Sequence, residues 1–209
     1  ATGLRDYIQD EIDRVDIASR VDLEGAANRV QSRIAAEDVP AEVRDAVVAA
    51  YHRLVGDGSP LVAVRSSATM EDTAEASFAG MNRSYLNVSG DDDLITRVRD
   101  VWASLYSPRV IFYRKRLQLG AEPEIAVIVQ KMVNAVKSGV AFSVDPASGA
   151  DGNMVIEGAW GLGEVVVGGQ VEPDHYLVAK GDLALNDVHI GHKEFMLTRG
   201  ADGQNTEVK

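Results

Sequence analysis

Leu61-Val62-Ala63-Val64-Arg65-Ser66-Ser67-Ala68-Thr69-Met70-Glu71-Asp72, continuing through Ala76-Ser77-Phe78-Ala79-Gly80-Met81, is the stretch whose reading decides the fold. Four apolar residues run straight into an arginine, two serines and a threonine. The first half predicts a buried strand. The second half puts a cation beside hydroxyls where the strand gives out. A guanidinium offers a planar fork of donors for phosphate oxygens, and serine and threonine hydroxyls add neutral donors. A polar turn with a solvated arginine uses the same residues, so the stretch alone leaves both readings open.

Around it lies a chain of 209 residues, 45% hydrophobic and 25% charged, enough for one large domain or two small lobes. The net charge of −11 argues against broad nucleic-acid binding, which needs lysine and arginine to neutralise phosphates. A local basic pocket for a nucleotide remains compatible with it. The absence of cysteine removes disulfides, thiolate nucleophiles and cysteine zinc sites, and is compatible with a cytoplasmic protein. No apolar run approaches the ~20 residues of a membrane helix, and no signal peptide opens the chain.

Upstream, residues 1–60 read as a helical part. Leu4, Ile8, Ile12 and Val15 sit at helical spacing. Asp22 is placed to cap a second helix carrying Ala26, Ala27, Val30 and Ile34. Pro40 suits the first turn of a third, with Val43, Val47, Val48, Tyr51 and Leu54 on its apolar face. Gly56-Asp57-Gly58-Ser59-Pro60 closes it as a loop. Downstream, residues 61–209 read as one strand-rich part. After the Arg65 strand, Thr69 to Gly80 reads as a loop, a flap over a ligand or plain surface. Ser84 to Val88 reads as a strand. Leu94, Val98, Val101, Trp102 and Leu105 form a helix face, and Pro108 starts another helix with Val110, Ile111, Tyr113, Leu117 and Leu119 apolar. Its basic residues Arg109, Arg114, Lys115 and Arg116 read as a solvated face. Ile125 to Val129 reads as a buried strand, Ser138 to Asp145 and Met154 to Ala159 as the next two. A glycine-rich stretch, Gly161 to Gly169, precedes strands at His175–Val178, Asp187–Ile190 and Glu194–Leu197. Helices first and strands afterwards predict an α+β fold.

Short motifs exclude several chemistries. There is no Gly-x-x-x-x-Gly-Lys-Ser/Thr loop, and Val166 stands where a dinucleotide fingerprint after Gly161-Leu162-Gly163 needs glycine. His52, His175, His189 and His192 show no convincing metal spacing, and His189 with His192 reads as a surface pair. Ser66 or Ser67 as a nucleophile would need a placed base, and none is identified. What remains is Arg65 with its hydroxyls for phosphates, the glycines of 161–169 for close backbone approach, and Gln130-Lys131-Met132-Val133. An extended backbone at that last segment offers alternating N–H and C=O groups that suit an adenine edge, with Met132 and Val133 as apolar walls. Simple core packing explains Met132 equally.

The order of blocks adds a resemblance. Val64-Arg65-Ser66-Ser67-Ala68-Thr69-x-Glu71-Asp72, then Ala76-Ser77-Phe78-Ala79-Gly80 and Tyr85-Leu86-Asn87-Val88, closely resembles the nucleotide-binding domain of phosphoenolpyruvate synthases and rifampin phosphotransferases. It is more distantly similar to pyruvate phosphate dikinase. Val101-Trp102-Ala103-Ser104-Leu105-Tyr106, Val129-Gln130-Lys131-Met132-Val133, Ser138-Gly139-Val140-Ala141-Phe142-Ser143, Glu157-Gly158-Ala159-Trp160-Gly161-Leu162-Gly163-Glu164 and Val171-x-Pro173-Asp174 follow in the same order. The resemblance covers roughly residues 40 to 180.

It implies an ATP-grasp fold, with two lobes holding ATP. It also implies a reaction in which ATP's β-phosphate ends on a histidine of a separate swivelling domain, with AMP and phosphate as products. The phosphohistidine then passes its group to pyruvate or to rifampin, held by an acceptor-binding domain. By matching position, Arg65 is implied as the catalytic phosphate contact, with Ser66 beside it. Gly80 and Ser84 are implied at the nucleotide, and Gln130, Met132 and Val133 at the adenine. Glu164 is implied beside the ribose and phosphates. The family's threonine is Ser84 in this chain, which keeps the hydroxyl. The family's Gly-Gly-Lys stretch and its acidic-x-Glu and Gln-x-Arg motifs, which supply Mg²⁺ ligands and phosphate contacts, are not among these residues. The resemblance therefore implies a fragment cut at both ends, with little turnover alone and Mg²⁺ ligands outside this chain. A stand-alone ATP-binding module without chemistry is the competing expectation.

Overall fold

The computed structural model describes residues 2–58, 60–68, 72–73, 76–77, 84–117, 124–200 and 203–209. The chain divides into two compact units, Ala1–Met132 and Val133–Lys209. Helices lead and antiparallel sheets follow, so the fold is α+β.

The first unit opens with helices α1 (Thr2–Arg14), α2 (Arg20–Ala36) and α3 (Ala41–Val55). Ala26, Ala27, Val30 and Ile34 of α2 are all buried, as their helical spacing requires. The cap of α2 is Ser19 rather than Asp22. The Ser19 hydroxyl accepts from the Asp22 N–H at 3.2 Å, while the Asp22 carboxylate turns back to accept from the Asp16 N–H at 2.8 Å. A serine three residues ahead of a first-turn N–H is the geometry a cap needs, and Asp22 already lies inside the helix. Pro40 stands just outside α3, at its N-cap, and on the expected apolar face Tyr51 is buried while Val43 is exposed.

Strand β1 (Val62–Ala68) lies at the centre of a three-stranded antiparallel sheet. The short pair β2 (Asp72–Thr73) and β3 (Ala76–Ser77) follows it. The other two strands of the main sheet are β4 (Ser84–Val88) and β5 (Ile125–Lys131), in the order β4-β1-β5. Between them run α4 (Asp91–Ser104) and α5 (Pro108–Arg116). Val62, Val64 and Val88 join Tyr51, Val55, Leu94, Val98 and Val101 in one core, with Ile125, Val127 and Val129 packed against it. Tyr51 ties its margin together: its hydroxyl donates to the Pro60 carbonyl at 2.6 Å and accepts from the Gly90 N–H at 3.1 Å.

Two further expectations change. β5 is not buried on both sides: Ile125, Val127 and Val129 face the core, but Ile128 is 47% exposed. A sheet with helices on one face leaves alternate residues of an apolar strand open. The basic face of α5 is only partly solvated. The Lys115 ammonium donates to the carbonyls of Ile12, Asp13 and Val15 at 2.7, 3.1 and 3.0 Å. It thereby satisfies acceptors left open at the end of α1. Leu119 lies outside the described residues.

The second unit carries a four-stranded antiparallel sheet in sequential order, β6 (Lys137–Phe142), β7 (Asn153–Trp160), β8 (Asp174–Ala179) and β9 (Leu185–His189). Helix α6 (Glu164–Val167) lies between β7 and β8 in the chain, and β10 (Met196–Arg199) with β11 (Asn205–Val208) forms a separate two-stranded hairpin. α6 forms inside the glycine-rich stretch, where glycines masked any helical signal. Its Val165 and Val166 pack with Ala159, Val140, Val171, Phe195 and Leu197. Among the described residues no helix is long and apolar enough to cross a membrane.

Leu94 is fully buried in the first core. Leu94→Ala should cost about 3 kcal/mol, the usual sum of lost transfer energy and a residual cavity. Urea denaturation of the two proteins measures it.

Candidate functional site

The period of a strand decides what stands beside Arg65. Val62 and Val64 point into the core, so Arg65, one residue on, points to the opposite face, and Ser67 joins it. Antiparallel pairing sets Arg65 opposite Ser84 on β4 and opposite Ile128 on β5; Ser67 faces Ala126, and Ala63 faces Gln130. Directly opposed residues share a face with Cβ atoms about 5 Å apart. Arg65, Ser67, Ser84, Ile128 and Gln130 therefore stand together on the face away from the helices. Arg65, Ser67, Ser84 and Gln130 are exposed there. No ion pair to Arg65 occurs among the described residues.

The remaining expected residues distribute differently. Ser66 turns to the helix-packed face, opposite Val127. Gly80 lies outside the described residues, as do Thr69 to Glu71. Met132 follows the end of β5, half-buried, and its N–H donates to the Leu61 carbonyl at 3.0 Å. That N–H is therefore already used. β5 is an edge strand, and alternation turns the N–H and C=O groups of Val129 and Lys131 to its open side. In the second unit, Val133 is 72% exposed and its carbonyl accepts from the Ala135 N–H. Sequence reasoning names Ser67 only among the hydroxyls of the stretch and does not name Ile128 as a site residue. Counting two from Arg65 finds Ser67, but only the register finds Ile128.

Glu164, exposed, is the first residue of α6 in the second unit. The turn before it is built by close backbone approach. Gly161 adopts φ +78°, and a Cβ there would stand 2.1 Å from the Leu197 carbonyl oxygen. The same carbonyl accepts from the Leu162 N–H at 2.7 Å, and the Gly161 N–H donates to the Val136 carbonyl at 2.8 Å. The side-chain amide of Asn205 donates to the Glu164 carboxylate.

A second polar knot holds the Val171-Glu172-Pro173-Asp174 segment. One Glu172 oxygen meets His189 Nε2 at 2.8 Å, and the other accepts from the His192 N–H at 2.9 Å. The His192 N–H, then His189, hold the Glu172 carboxyl below its usual range. Asp174 accepts from the Gly191 N–H at 3.1 Å and pairs with the nearly buried Lys193 ammonium, which also donates to the Gly191 carbonyl. His189 is thus engaged by a carboxylate, and His192 contributes its backbone. Among the described residues no cluster of three or more histidine, aspartate or glutamate side chains is arranged to hold a metal ion.

Comparison with known proteins adds the family. A model described as the pyruvate phosphate dikinase AMP/ATP-binding domain matches residues 1–209. The chain is 41% identical over 214 residues to a phosphoenolpyruvate synthase of Aeropyrum pernix, covering 100% of this chain and 26% of that protein. It is 41% identical over 212 residues to a probable phosphoenolpyruvate synthase of Methanocaldococcus jannaschii, covering 100% of this chain and 18% of the relative. A phosphoenolpyruvate synthase of Pyrococcus furiosus is 39% identical over 203 residues, with 95% of this chain and 25% of the relative covered. The chain thus spans about a quarter or less of the length of these relatives.

Two outcomes follow from this geometry. Gly161→Ala should destabilise the second unit by at least about 2 kcal/mol, since it adds a left-handed penalty to a clash with backbone. Gly169→Ala, at φ +59° with open space around it, should cost only about 1 kcal/mol in the same denaturation series. Glu172 sets a pH dependence. Its folded pKa is lowered, so its contribution is present above the unfolded value and is lost as pH falls through the folded one. The stability gap between wild type and Glu172→Gln should shrink on acidification below the ordinary glutamate range, as read by denaturant midpoints at a series of pH values.

Proposed function

The chain belongs to the AMP/ATP-binding domain family of pyruvate phosphate dikinase, and from that premise we propose that it is the ATP-binding part of a phosphoenolpyruvate synthase-like phosphotransferase with an ATP-grasp architecture. The observation that carries the reading is the open sheet face on which Arg65, Ser67, Ser84 and Gln130 meet. Similarity to phosphoenolpyruvate synthases along the whole chain supports pyruvate as the acceptor in the parent protein.

In this reading the Arg65 guanidinium neutralises and orients the phosphate chain of ATP. Its rigid fork suits a group whose charge is spread over several oxygens. The Ser84 hydroxyl, directly across the strand pair, donates to the same phosphates, and Ser67 adds a second hydroxyl. Gly80 and Ser66 are assigned to the nucleotide by the resemblance alone, and Ser66 turns to the helix-packed face. Gln130, Met132 and Val133 line the adenine, with Ile128 as an apolar wall. The open edge of β5 supplies backbone N–H and C=O groups for the base. Glu164 and the glycines before it serve the ribose and phosphates.

The chemistry asked of these residues is positioning. Phosphoryl transfer needs the donor held in line and its charge matched, and little covalent help from the protein. The β-phosphate ends on a histidine of a separate swivelling domain, with AMP as the leaving group; water takes the γ-phosphoryl group, which leaves as phosphate, and an acceptor-binding domain receives the β-phosphoryl group on pyruvate. Mg²⁺, held by residues elsewhere in the parent, supplies charge stabilisation when bound.

Arg65→Ala tests the reading. It should weaken ATP binding by about 10–100-fold, the value of losing a charge-assisted phosphate contact. Isothermal calorimetry with Mg²⁺-ATP reads the affinity, and Arg65→Lys should recover only part of it. Unchanged affinity in Arg65→Ala, or unchanged ATP consumption in the full-length parent, rejects the assignment.

A further inference from the structure

A cavity of about 310 Å³ opens in the first unit between α2, α4 and β4. Ser84 and Tyr85 are neighbours on β4, and the pleat sends them to opposite faces. Ser84 stands opposite Arg65, whereas Tyr85 packs toward the helices and lines the cavity. The cavity therefore lies on the other side of the sheet from the candidate phosphate face and is separate from it.

Side chains of α4 set its charge. Arg97 donates from Nε to Asp93 at 3.1 Å and from Nη1 to Asp100 at 3.0 Å, and its guanidinium carbon lies 5.1 Å from the centre of the Tyr85 ring. One cation is thus shared between two carboxylates, which leaves the group at about −1 at neutral pH. An anion seated here would meet more negative charge than positive, and a cation would complete the balance. Ser104 follows Asp100 by four residues, so the two are neighbours on one helix face. Its hydroxyl is only 4% exposed and donates to the Val101 carbonyl at 2.7 Å, which leaves its lone pairs as acceptors in the cavity wall. Asp100 holds Arg97 through Oδ2, and Oδ1 is a second acceptor without a partner among the described residues. On the α2 side, the side chains of Gln31 and Ser32 also have no hydrogen-bond partner among the described residues. The volume is at the small end for a ligand site, and polar walls of this kind suit a compact hydrophilic solute.

We propose that the cavity between α2, α4 and β4 is a binding site for a small organic cation, a protonated amine of a few carbon atoms. Its ammonium group donates to Asp100 and Ser104, and its far end meets the amide of Gln31 and the hydroxyl of Ser32. This site is independent of the ATP-binding reading, because it uses none of the residues assigned to the nucleotide.

Three probes of equal chain length and different charge test it: putrescine, 1,4-butanediol and succinate. Each is titrated into this chain while backbone amide signals are followed by NMR, which reads affinity and location together. Putrescine should bind at least about tenfold tighter than butanediol, the ratio expected for a charge-assisted contact, and succinate should not bind. The signals of Gln31, Tyr85, Asp100 and Ser104 should move together. Asp100→Asn should weaken putrescine about tenfold and Ser104→Ala about fivefold. Asp100→Asn should still fold, because a partly exposed ion pair contributes little to stability. Ala35→Leu changes an exposed residue of the cavity wall and should block binding while leaving the core intact; it carries the test if Ser104→Ala melts early. Glu42→Gln removes one negative charge from an exposed position on α3 and should leave the affinity unchanged. Putrescine that binds no tighter than butanediol, or succinate that binds tighter than putrescine, overturns the proposal. So does a putrescine affinity that is unaltered in both Asp100→Asn and Ala35→Leu, or that falls equally in Glu42→Gln and Asp100→Asn, since diffuse attraction to an acidic chain gives those results.

Discussion

The two-residue period of β1 is the constraint on which the first unit depends. Val62 and Val64 are fully buried, and they fix the strand's rotation about its own axis. Once they face the helices, Arg65 has to face away from them. A slip of one residue would bury a guanidinium beside Val98 and Val101 and expose two valines, at the cost of an unpaired charge in the core. The core and the candidate site are therefore set by one register, and neither can be altered without the other. The same logic extends to β4 and β5, whose pairing brings Ser84 and Ile128 to Arg65 from opposite sides.

The second unit uses a different device. Its glycine-rich turn is shaped by close backbone approach, at Gly161 against Leu197 and at Gly191 against the carbonyls of Glu172 and Pro173. A side chain at either position would push two segments apart. Polar side chains then fasten what the glycines permit. Glu172 and Asp174 each accept from backbone N–H groups of the 191–192 segment, and Lys193 returns a charge to Asp174. The Val-x-Pro-Asp block is thereby explained by packing as much as by ligand chemistry: its two carboxylates are the ties of a turn.

Much of this was legible in sequence. The helices of residues 1–60 and most strands announce themselves through periodicity, because burial on one face leaves a pattern that local spacing reveals. The order of motif blocks carried the family expectation further than any single motif. What escaped has physical reasons. Ser19 caps α2 in place of the expected Asp22, since both residue types cap and only the start of the helix chooses between them. Lys115 was read as solvated because its acceptors lie about a hundred residues away on α1. β11 is polar and short, and among the described residues the strand it pairs with is β10.

Residue type and local spacing determine the order of most elements, which strand residues are apolar, and which chemistry Arg65 and its hydroxyls are capable of. These depend on residue type and on spacing within a few positions, so the string of letters contains them. Tertiary structure alone decided that Ser66 turns to the core while Ser84, Ile128 and Gln130 come round to Arg65. It alone showed that the Met132 N–H is already taken by Leu61, and that Asn205 reaches Glu164. Each of these is a pairing between segments distant in the chain, set by register and close packing. Local periodicity says which face a residue prefers and carries no information about what will stand opposite it.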